Sequence, residues 1–342
     1  VMKTFKSYFG TSPTQLFDTF EWEAKNAASI GQVHLATKNG KKLAVKIQYP
    51  GVADSITSDL RMARPLAVQL LNLNDAEIDR YFEEVQSKLL EEADYELELK
   101  RSVEITSACS QIPNLFFPSY YPELSSKRII TMDWIEGQHL KEFLQTNPSQ
   151  EARDQIGQAL WDFYNFQIHD LKQVHADPHP GNFLFTQDGR LGIIDFGCIK
   201  EIPDHFYTNY FALINRDLMS DDKRMGEIFR ELEFILEEDK PDQQVFFHGL
   251  FKQMIEILGR PFAQQTFNFG DDSYVDEVYA FFEYVANVQE LKSASAARGS
   301  QHGLYINRTY FGLYTLLNDL KANVRTTKPT WLMSKEELAE MV

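Results

Sequence analysis

The chain has 342 residues, of which 43% are hydrophobic and 25% charged, so it is not a disordered, collagen-like or minimal disulfide-stapled protein. Its 34 Lys and Arg residues and 50 Asp and Glu residues give a formal net charge of -16, which argues against nucleic acid as a partner. Two cysteines, Cys109 and Cys198, cannot form a framework of bridges, so we expect a reducing compartment, either the cytoplasm or an organelle matrix. No stretch approaches the ~18 consecutive apolar residues of a membrane-spanning helix.

The first predicted element is a β-hairpin. Its strands run from Ile30 to Ala36 and from Leu43 to Gln48, and Asn39-Gly40 forms the turn between them. Apolar residues at three- and four-residue steps then predict one long amphipathic helix from Asp75 to Glu104. A β-branched run at 128–135 predicts a further strand and closes a β-containing N-terminal lobe over residues 20–136.

The remainder, residues 137–342, is predicted to be a mostly helical C-terminal lobe. Two short strands, Phe183–Phe185 and Leu191–Ile194, are expected to flank a turn at Asp188-Gly189. The segments with helical periodicity are 150–173, 205–237, 243–259, 273–291 and 303–323. The expected fold class is therefore α+β with two lobes.

The sharpest motif is His-x-Asp-x-x-x-x-Asn over 175–182, followed by Ile-Asp-Phe-Gly over 194–197. Phosphoryl transfer requires a carboxylate at the acceptor hydroxyl and oxygen ligands that hold Mg²⁺ against the phosphates. Asp177 is the candidate for the first role, while Asn182 and Asp195 are the candidate metal ligands, and their order is that of a kinase catalytic loop. The alternative for Asp177 and Asn182 is turn capping within a Pro- and Gly-rich loop.

Lys46 lies inside the second hairpin strand, where an ammonium group is costly to bury without an anionic partner. In kinases the partners are the ATP phosphates and a helix carboxylate. Glu92 is the preferred carboxylate, and the other acidic candidates are Glu91, Asp94 and Glu98. The alternative is a lysine that extends from an edge strand to solvent.

The loop ahead of Lys46 departs from the kinase pattern G-x-G-x-x-G-x-V. When the pattern is aligned on Val33, only Gly31 matches, because Ala28 and Asn26 occupy the other two glycine positions. A Cβ at those positions restricts how closely backbone amides can approach phosphates. Nucleotide binding is therefore expected to involve an altered loop containing Ala27, Ala28, Ser29, Gly31 and Val33.

Taken together, these motifs resemble the UbiB/AarF family of atypical protein-kinase-like proteins. The resemblance rests on five ordered stretches, which are Ala27–His34, Val45–Val52, Glu92–Tyr95, 175–182 and 194–197, and it is strongest over about residues 20–200. It implies a two-lobed protein-kinase-like fold, ATP and Mg²⁺ as cofactors, ATPase or atypical kinase activity, and a supporting role in ubiquinone or other isoprenoid-quinone and lipid metabolism. It also implies an isoprenoid lipid or a membrane surface as a further partner.

The resemblance also assigns residues. The family's alanine-rich loop corresponds to Ala27-Ala28-Ser29, with Asn26 where another alanine is usual, and its Glu-x-Asp motif corresponds to Glu92 and Asp94. The family's Lys-x-Gly-Gln motif has no counterpart between Val1 and Ala24. The self-inhibition attributed to that motif is therefore not implied for these residues.

Two other functions remain open at this point. One is a small-molecule kinase of the aminoglycoside or choline type, whose catalytic loop has the same spacing. The other is a non-catalytic ATP-binding scaffold, which the full set of charged residues disfavours. The alanine-rich loop and the Pro50-Gly51-Val52 segment favour the UbiB-type hypothesis.

Overall fold

The computed structural model describes residues 1–71, 75–288, 291, 298–326 and 328–339. The chain forms two compact units. The first contains Val1–Ser110, Phe116–Glu136 and Gly192–Cys198, and the second contains Gln111–Leu115, Gly137–Leu191 and Ile199–Val342. The Asp-Phe-Gly segment belongs to the first unit, although it follows the catalytic-loop motif of the second unit in the sequence.

The first unit combines a β-sheet with helices. Its elements are α1 (Met2–Phe9), α2 (Pro13–Leu16), β1 (Thr19–Phe20), β2 (Asn26–Ala28), β3 (Gly31–Lys38), β4 (Lys41–Gln48), α3 (Val52–Leu71), α4 (Asp75–Glu92), α5 (Tyr95–Ala108) and β6 (Ile129–Asp133). Strand β5 (Leu115–Phe116) lies where the chain passes from one unit to the other. The sheet has the order β1-β3-β4-β6, and β2 pairs with β3.

The predicted hairpin is confirmed. Strands β3 and β4 are antiparallel, and their register runs from Gly31 opposite Gln48 to Lys38 opposite Lys41. Both turn residues, Asn39 and Gly40, have positive φ values of 51° and 75°. This geometry suits the right-handed twist of a two-residue hairpin and explains the Asn-Gly sequence.

The prediction of one continuous helix from Asp75 to Glu104 is wrong. Helix α4 ends at Glu92 and α5 begins at Tyr95, with the Asp94 carboxylate accepting a hydrogen bond from the amide of Leu97 at 3.0 Å. The apolar period continues across this break, so periodicity alone could not reveal it. Helix α3 also precedes α4, although the sequence pattern suggested only one helix after the hairpin.

Aromatic residues from the N-terminal segment complete the core of the first unit. Phe5 of α1 and Phe17 are buried against one face of the sheet, with ring centroids 6.1 Å apart. On that face they join Val45 of β4 and Ile129 of β6 in one cluster. Burial of this apolar surface anchors the N-terminal segment to the sheet.

The second unit is mainly helical, as expected. Its helices are α6 (Leu140–Gln145), α7 (Gln150–Phe166), α8 (Asp204–Ala212), α9 (Arg216–Met219), α10 (Asp222–Glu231), α11 (Pro241–Leu258), α12 (Asp272–Asn287), α13 (Gln301–Asp319) and α14 (Lys335–Ala339). Its strands are β7 (Gln173–His175), β8 (Phe183–Phe185), β10 (Ile199–Glu201), β11 (Thr266–Asn268) and β12 (Asn323–Arg325), while β9 (Leu191–Ile193) ends in the first unit. Strands β7 and β10 pair with each other, as do β11 and β12.

Helix α13 is a core helix of the second unit. Tyr310 donates a hydrogen bond to Asn165 of α7 at 3.1 Å, and Tyr314 donates one to the carbonyl of Leu258 at the end of α11 at 2.8 Å. Both tyrosine rings are buried, and Tyr314 stacks on Trp161. These contacts fix the helix against α7 and α11.

His169 gives the second unit a testable pH dependence. Burial lowers its pKa to about 3, while its ring contacts Tyr207 and Phe211. The unfolded chain binds a proton at this side chain near pH 6.5 and the folded chain does not, so acidification favours unfolding. When the pH falls from 6.5 to 5, we expect His169 to lower the free energy of unfolding by about 2 kcal/mol.

The measurement is chemical denaturation of the wild type and of His169→Gln at both pH values. The glutamine can still bond to Tyr207 but does not titrate, so this variant should lose less stability on acidification. His205→Gln, which replaces an exposed histidine of α8, is the control and should follow the wild type. Parallel losses in all three proteins would contradict the assignment.

Candidate active site

Lys46 lies at the centre of the sheet of the first unit. It belongs to β4, where it is opposite Val33 of β3 and Ile130 of β6, so it is not on an edge strand. Only 6% of its surface is exposed. The alternative of a lysine that extends into solvent is therefore wrong.

Helix α5 covers the face of β4 on which Lys46 lies. The Gln48 side chain, two residues farther along the strand, donates a hydrogen bond to the carbonyl of Ala93 at 3.0 Å. The ring of Tyr95 lies beside Lys46, with 5.1 Å between the ammonium nitrogen and the ring centroid. The start of α5 thus encloses the lysine from the side opposite the aromatic core.

Two carboxylates bind the buried ammonium. Lys46 Nζ donates to Glu98 Oε1 at 2.7 Å and to Asp195 Oδ2 at 3.1 Å. The side chain of Glu98 is 8% exposed, whereas that of Asp195 is 35% exposed. Asp195 is therefore the member of this cluster that solvent or a ligand can reach.

The charges of the cluster shift its pKa values strongly. Burial raises the pKa of Glu98 to about 7, although the ammonium of Lys46 opposes that rise. For Lys46, burial works to lower the pKa, but Asp195 and then Glu98 outweigh it and the pKa is raised. Lys46 is therefore a permanent cation, and strongly perturbed charge pairs of this kind are typical of functional sites.

The sequence pattern favours Glu92 as the partner of Lys46, and this prediction is wrong, because the partner in the structure is Glu98. Because the helix breaks after Glu92, the chain changes direction and places the first turn of α5 over Lys46. Glu92 is the last residue of α4, and its negative charge raises the Glu98 pKa. The N-cap signal at Asp94, followed by acidic residues in the first turn, could have indicated the new helix.

The Asp-Phe-Gly segment is held in place by its own backbone. Asp195 Oδ1 accepts a hydrogen bond from the amide of Gly197 at 2.8 Å, and this bond orients the carboxylate. Phe196 is fully buried and packs near Phe117, with ring centroids 6.1 Å apart. The bond to Gly197 occupies Oδ1 of Asp195, and the second carboxylate oxygen, Oδ2, contacts Lys46.

The altered loop is a second, tight hairpin rather than a glycine-rich turn. Strand β2 pairs with β3, and Asn26, Ala27 and Ala28 lie opposite Val33, Gln32 and Gly31. The exposed residue Ser29 begins the connection between the strands. The alanines thus serve as strand residues, which accounts for a loop with few glycines.

Gly31 is the position in this hairpin where a side chain does not fit. An added Cβ would lie 2.5 Å from the carbonyl oxygen of Ile47 and 2.9 Å from Tyr95 Oη. Tyr95 is fully buried, and its hydroxyl has no hydrogen-bond partner among the described residues. The hairpin, β4 and α5 thus meet at Gly31.

Gly31→Ala should lower the free energy of unfolding by about 3 kcal/mol, because the methyl group overpacks this contact. Adding Tyr95→Phe should restore part of that loss, since it removes one of the two colliding oxygen atoms. Gly249→Ala is the control, because a Cβ there meets no atom within 4 Å. Urea denaturation of the four proteins measures the effect, and an unchanged Gly31→Ala midpoint would contradict the packing argument.

The second unit contains the rest of the predicted set. Asn182 Nδ2 donates to Asp177 Oδ2 and to the Asp177 backbone carbonyl, each at 3.0 Å. These bonds agree with turn capping. They use the amide nitrogen of the Asn182 side chain, so its oxygen does not take part in the contact with Asp177. Arg308 of α13 donates to Asp177 Oδ1 at 3.3 Å. No local pattern in the sequence indicates this contact, because 131 positions separate the two residues.

Asp195 in the first unit and Asn182 in the second each carry a side-chain oxygen, the type of ligand atom that Mg²⁺ prefers. Mg²⁺ is commonly held by one or two carboxylates together with substrate phosphates, and it prefers oxygen ligands. Within the described part of the chain, no group of three or more His, Cys, Asp or Glu side chains could enclose a metal by itself. Oxygen ligands of this kind suit Mg²⁺ better than they suit a transition metal that prefers thiolate or imidazole ligands.

A buried strand lysine paired with a helix glutamate, and a catalytic-loop motif followed by Asp-Phe-Gly, define a kinase-like protein. The ABC1 atypical kinase-like domain model matches residues 1–229. The chain therefore belongs to the ABC1 atypical kinase-like family, as the UbiB/AarF resemblance indicated.

Several curated relatives have similar sequences. The chain is 27% identical over 346 residues to the probable serine/threonine-protein kinase abkA of Dictyostelium discoideum, covering 95% of this chain and 59% of the relative. It is 27% identical to atypical kinase COQ8B, mitochondrial, of Danio rerio (81% and 44% covered) and 25% identical to atypical kinase COQ8, mitochondrial, of Saccharomyces cerevisiae (91% and 61%). It spans less than two thirds of the length of each.

The fold is also similar to a solved structure. The complex of Rv3197 with erythromycin from Mycobacterium tuberculosis matches with a TM-score of 0.71 and 24% identity, covering 95% of this chain and 79% of that one. The α+β kinase-like fold is thereby confirmed.

None of the described helices is both long and apolar enough to cross a membrane.

Proposed function

We propose that this chain binds ATP with Mg²⁺ and acts as an atypical kinase or ATPase. The observation that carries the proposal is the buried Lys46, which bonds to Glu98 and to the half-buried Asp195. Burying a charged triad is costly and seldom improves stability over an apolar core. Its presence beside a reachable carboxylate supports a role in binding a charged ligand.

Each residue of the cluster has a distinct task in this proposal. Glu98 holds the ammonium of Lys46 in one orientation, and Lys46 binds the α- and β-phosphates of the nucleotide. Asp195 is a metal ligand, and the Gly197 amide keeps its carboxylate oriented. A single fixed cation with preset geometry loses little entropy when the phosphates bind.

The catalytic loop of the second unit supplies the remaining groups. Asp177 orients the acceptor hydroxyl or an attacking water and accepts its proton, while Asn182 holds Asp177 and contributes a metal ligand. Bound Mg²⁺ supplies positive charge against the triphosphate and the phosphoryl group in transfer.

Nucleotide turnover is the direct test. Purified protein should release phosphate from ATP in a Mg²⁺-dependent manner, or transfer it to an acceptor, and its midpoint of unfolding should rise with Mg-ATP. Tight Mg-ATP binding without turnover, with and without lipid vesicles, would overturn the enzymatic part and favour a binding scaffold. Absence of any Mg-ATP binding would overturn the whole proposal.

The cellular role is proposed from the family resemblance and from the names of the relatives. We place the chain in isoprenoid-quinone or lipid metabolism, in an organelle matrix or the cytoplasm and in contact with a membrane surface. Two relatives named COQ8-type kinases are described as mitochondrial. Quinone profiling of a strain that lacks the gene should show a deficit that the wild-type gene restores and Asp195→Asn does not. An unchanged quinone pool would contradict this role.

A further inference from the structure

Helix α13 contacts the catalytic loop through a charge pair. Arg308 Nη2 lies 3.3 Å from Asp177 Oδ1, the oxygen that Asn182 does not contact. Among the described residues, Arg308 is the side chain outside the loop that donates to this carboxylate. Asp177 is therefore held from two sides, by the loop through Asn182 and by the helix through Arg308.

A second contact one turn farther along α13 supports the first. An added Cβ on Gly312 would lie 2.8 Å from Pro178 Cβ and still closer to its Cγ. Pro178 directly follows Asp177, so the backbone of the helix touches the loop beside the candidate catalytic residue. Residues 308 and 312 share one helix face because they are four positions apart.

Helix α13 is itself held in place by buried contacts. Tyr310 and Tyr314 are buried and bond to α7 and to the end of α11, as described above. These bonds orient the face that carries Arg308 and Gly312. Helix α13 also lies outside residues 1–229, the region that the family model matches.

We propose that α13 is a positioning element for the reaction, in which Arg308 fixes the Asp177 carboxylate and Gly312 allows the helix to contact the loop at Pro178. This inference rests on the proposed function. The Arg308 side chain is 66% exposed and that of Asp177 is 38% exposed. An ion pair this exposed adds little to stability, so its contribution is expected in the orientation of the carboxylate.

The first test compares Arg308→Ala with Arg308→Lys and Arg260→Ala. Arg308→Ala should lower kcat about tenfold and leave the Mg-ATP affinity and the unfolding midpoint near the wild-type values, because a small displacement of a reacting group slows the reaction. Arg308→Lys, which keeps the charge, should recover part of the rate. Arg260→Ala breaks a surface pair with Glu277 in the same unit and should leave kcat unchanged.

The second test asks whether Arg308 acts through Asp177. In a double-mutant cycle on kcat, Arg308→Ala should have little further effect on the residual rate of Asp177→Asn, because the carboxylate that it positions is already absent. Additive losses would mean that Arg308 acts independently of Asp177 and would overturn the inference.

The third test uses two glycines of the same helix. Gly312→Ala should lower kcat because the methyl group separates α13 from Pro178, whereas Gly303→Ala should not, since a Cβ there meets nothing nearer than 3.8 Å. Alanine is the better helix former at both positions, so a rate loss in Gly312→Ala alone reflects the contact.

The outcomes separate this inference from the proposed function. If the wild type binds and turns over Mg-ATP, and both Arg308→Ala and Gly312→Ala keep the wild-type kcat, the positioning role is overturned and the proposed function is not affected. A wild type without Mg-ATP turnover would overturn the catalytic proposal, and the positioning role with it.

Discussion

Asp195→Asn should abolish the stabilisation of the protein by Mg-ATP and lower turnover about 100-fold or more. The substitution keeps the size of the side chain and the oxygen that accepts the Gly197 amide, so the local turn can persist. It removes the negative charge that would bind the metal, and interactions with developing charge dominate phosphoryl transfer. The substitution should therefore weaken Mg-ATP binding far more than it lowers the free energy of unfolding.

The measurement is the unfolding midpoint of each protein with EDTA, with Mg²⁺, and with Mg²⁺ and ATP, followed by phosphate release at saturating ATP. Asp188→Asn is the matched control, because it alters an exposed aspartate in the turn after β8 that pairs with Arg190. That control should behave as the wild type. An undiminished Mg-ATP shift in Asp195→Asn would remove Asp195 from the metal site.

Lys46→Met should abolish turnover and also destabilise the protein by about 3 kcal/mol, because it leaves the buried side chain of Glu98 without the cation that bonds to it. The neighbouring Asp195 is more exposed and can be solvated. The loss of stability should therefore come mainly from Glu98, and the loss of activity from the missing phosphate ligand.

The double variant Lys46→Met/Glu98→Gln separates these effects. It replaces the buried pair by neutral side chains of similar size, and such replacements are often neutral for stability. We expect the free energy of unfolding to return toward the wild-type value while turnover stays absent. If the double variant regained activity, Lys46 would have only a structural role, and if it were no more stable than Lys46→Met, the pairing with Glu98 would be in doubt.

Local patterns were sufficient where a short segment determines its own conformation. The Asn39-Gly40 turn and the alternation along 43–48 predicted the hairpin and located Lys46 within a strand. An ammonium inside an apolar strand needs a counter-charge, which predicts an acidic residue on a neighbouring helix. That the partner is acidic could be predicted, because the cost of burying an ammonium depends on its charge and not on the fold.

The identity of that partner could not be predicted in the same way. Glu92 and Glu98 are six positions apart, and the apolar stripe continues past both of them. The hydrogen bond from Gln48 to the Ala93 carbonyl and the cap at Asp94 form only when the chain turns at this point. The first of these contacts joins distant segments, so no local propensity encodes it, whereas the cap at Asp94 is a local signal that does not reveal which glutamate reaches Lys46.

The amino-acid order alone determined the family, the hairpin, and the two motifs that contain Asp177 and Asp195, because these depend on residue types at fixed short spacings. The tertiary structure decided which glutamate binds Lys46, and it brought Arg308 to Asp177 across 131 positions. A charge pair of this kind depends on which buried surfaces pack together. That packing is a property of the whole core and leaves no periodic trace in the chain.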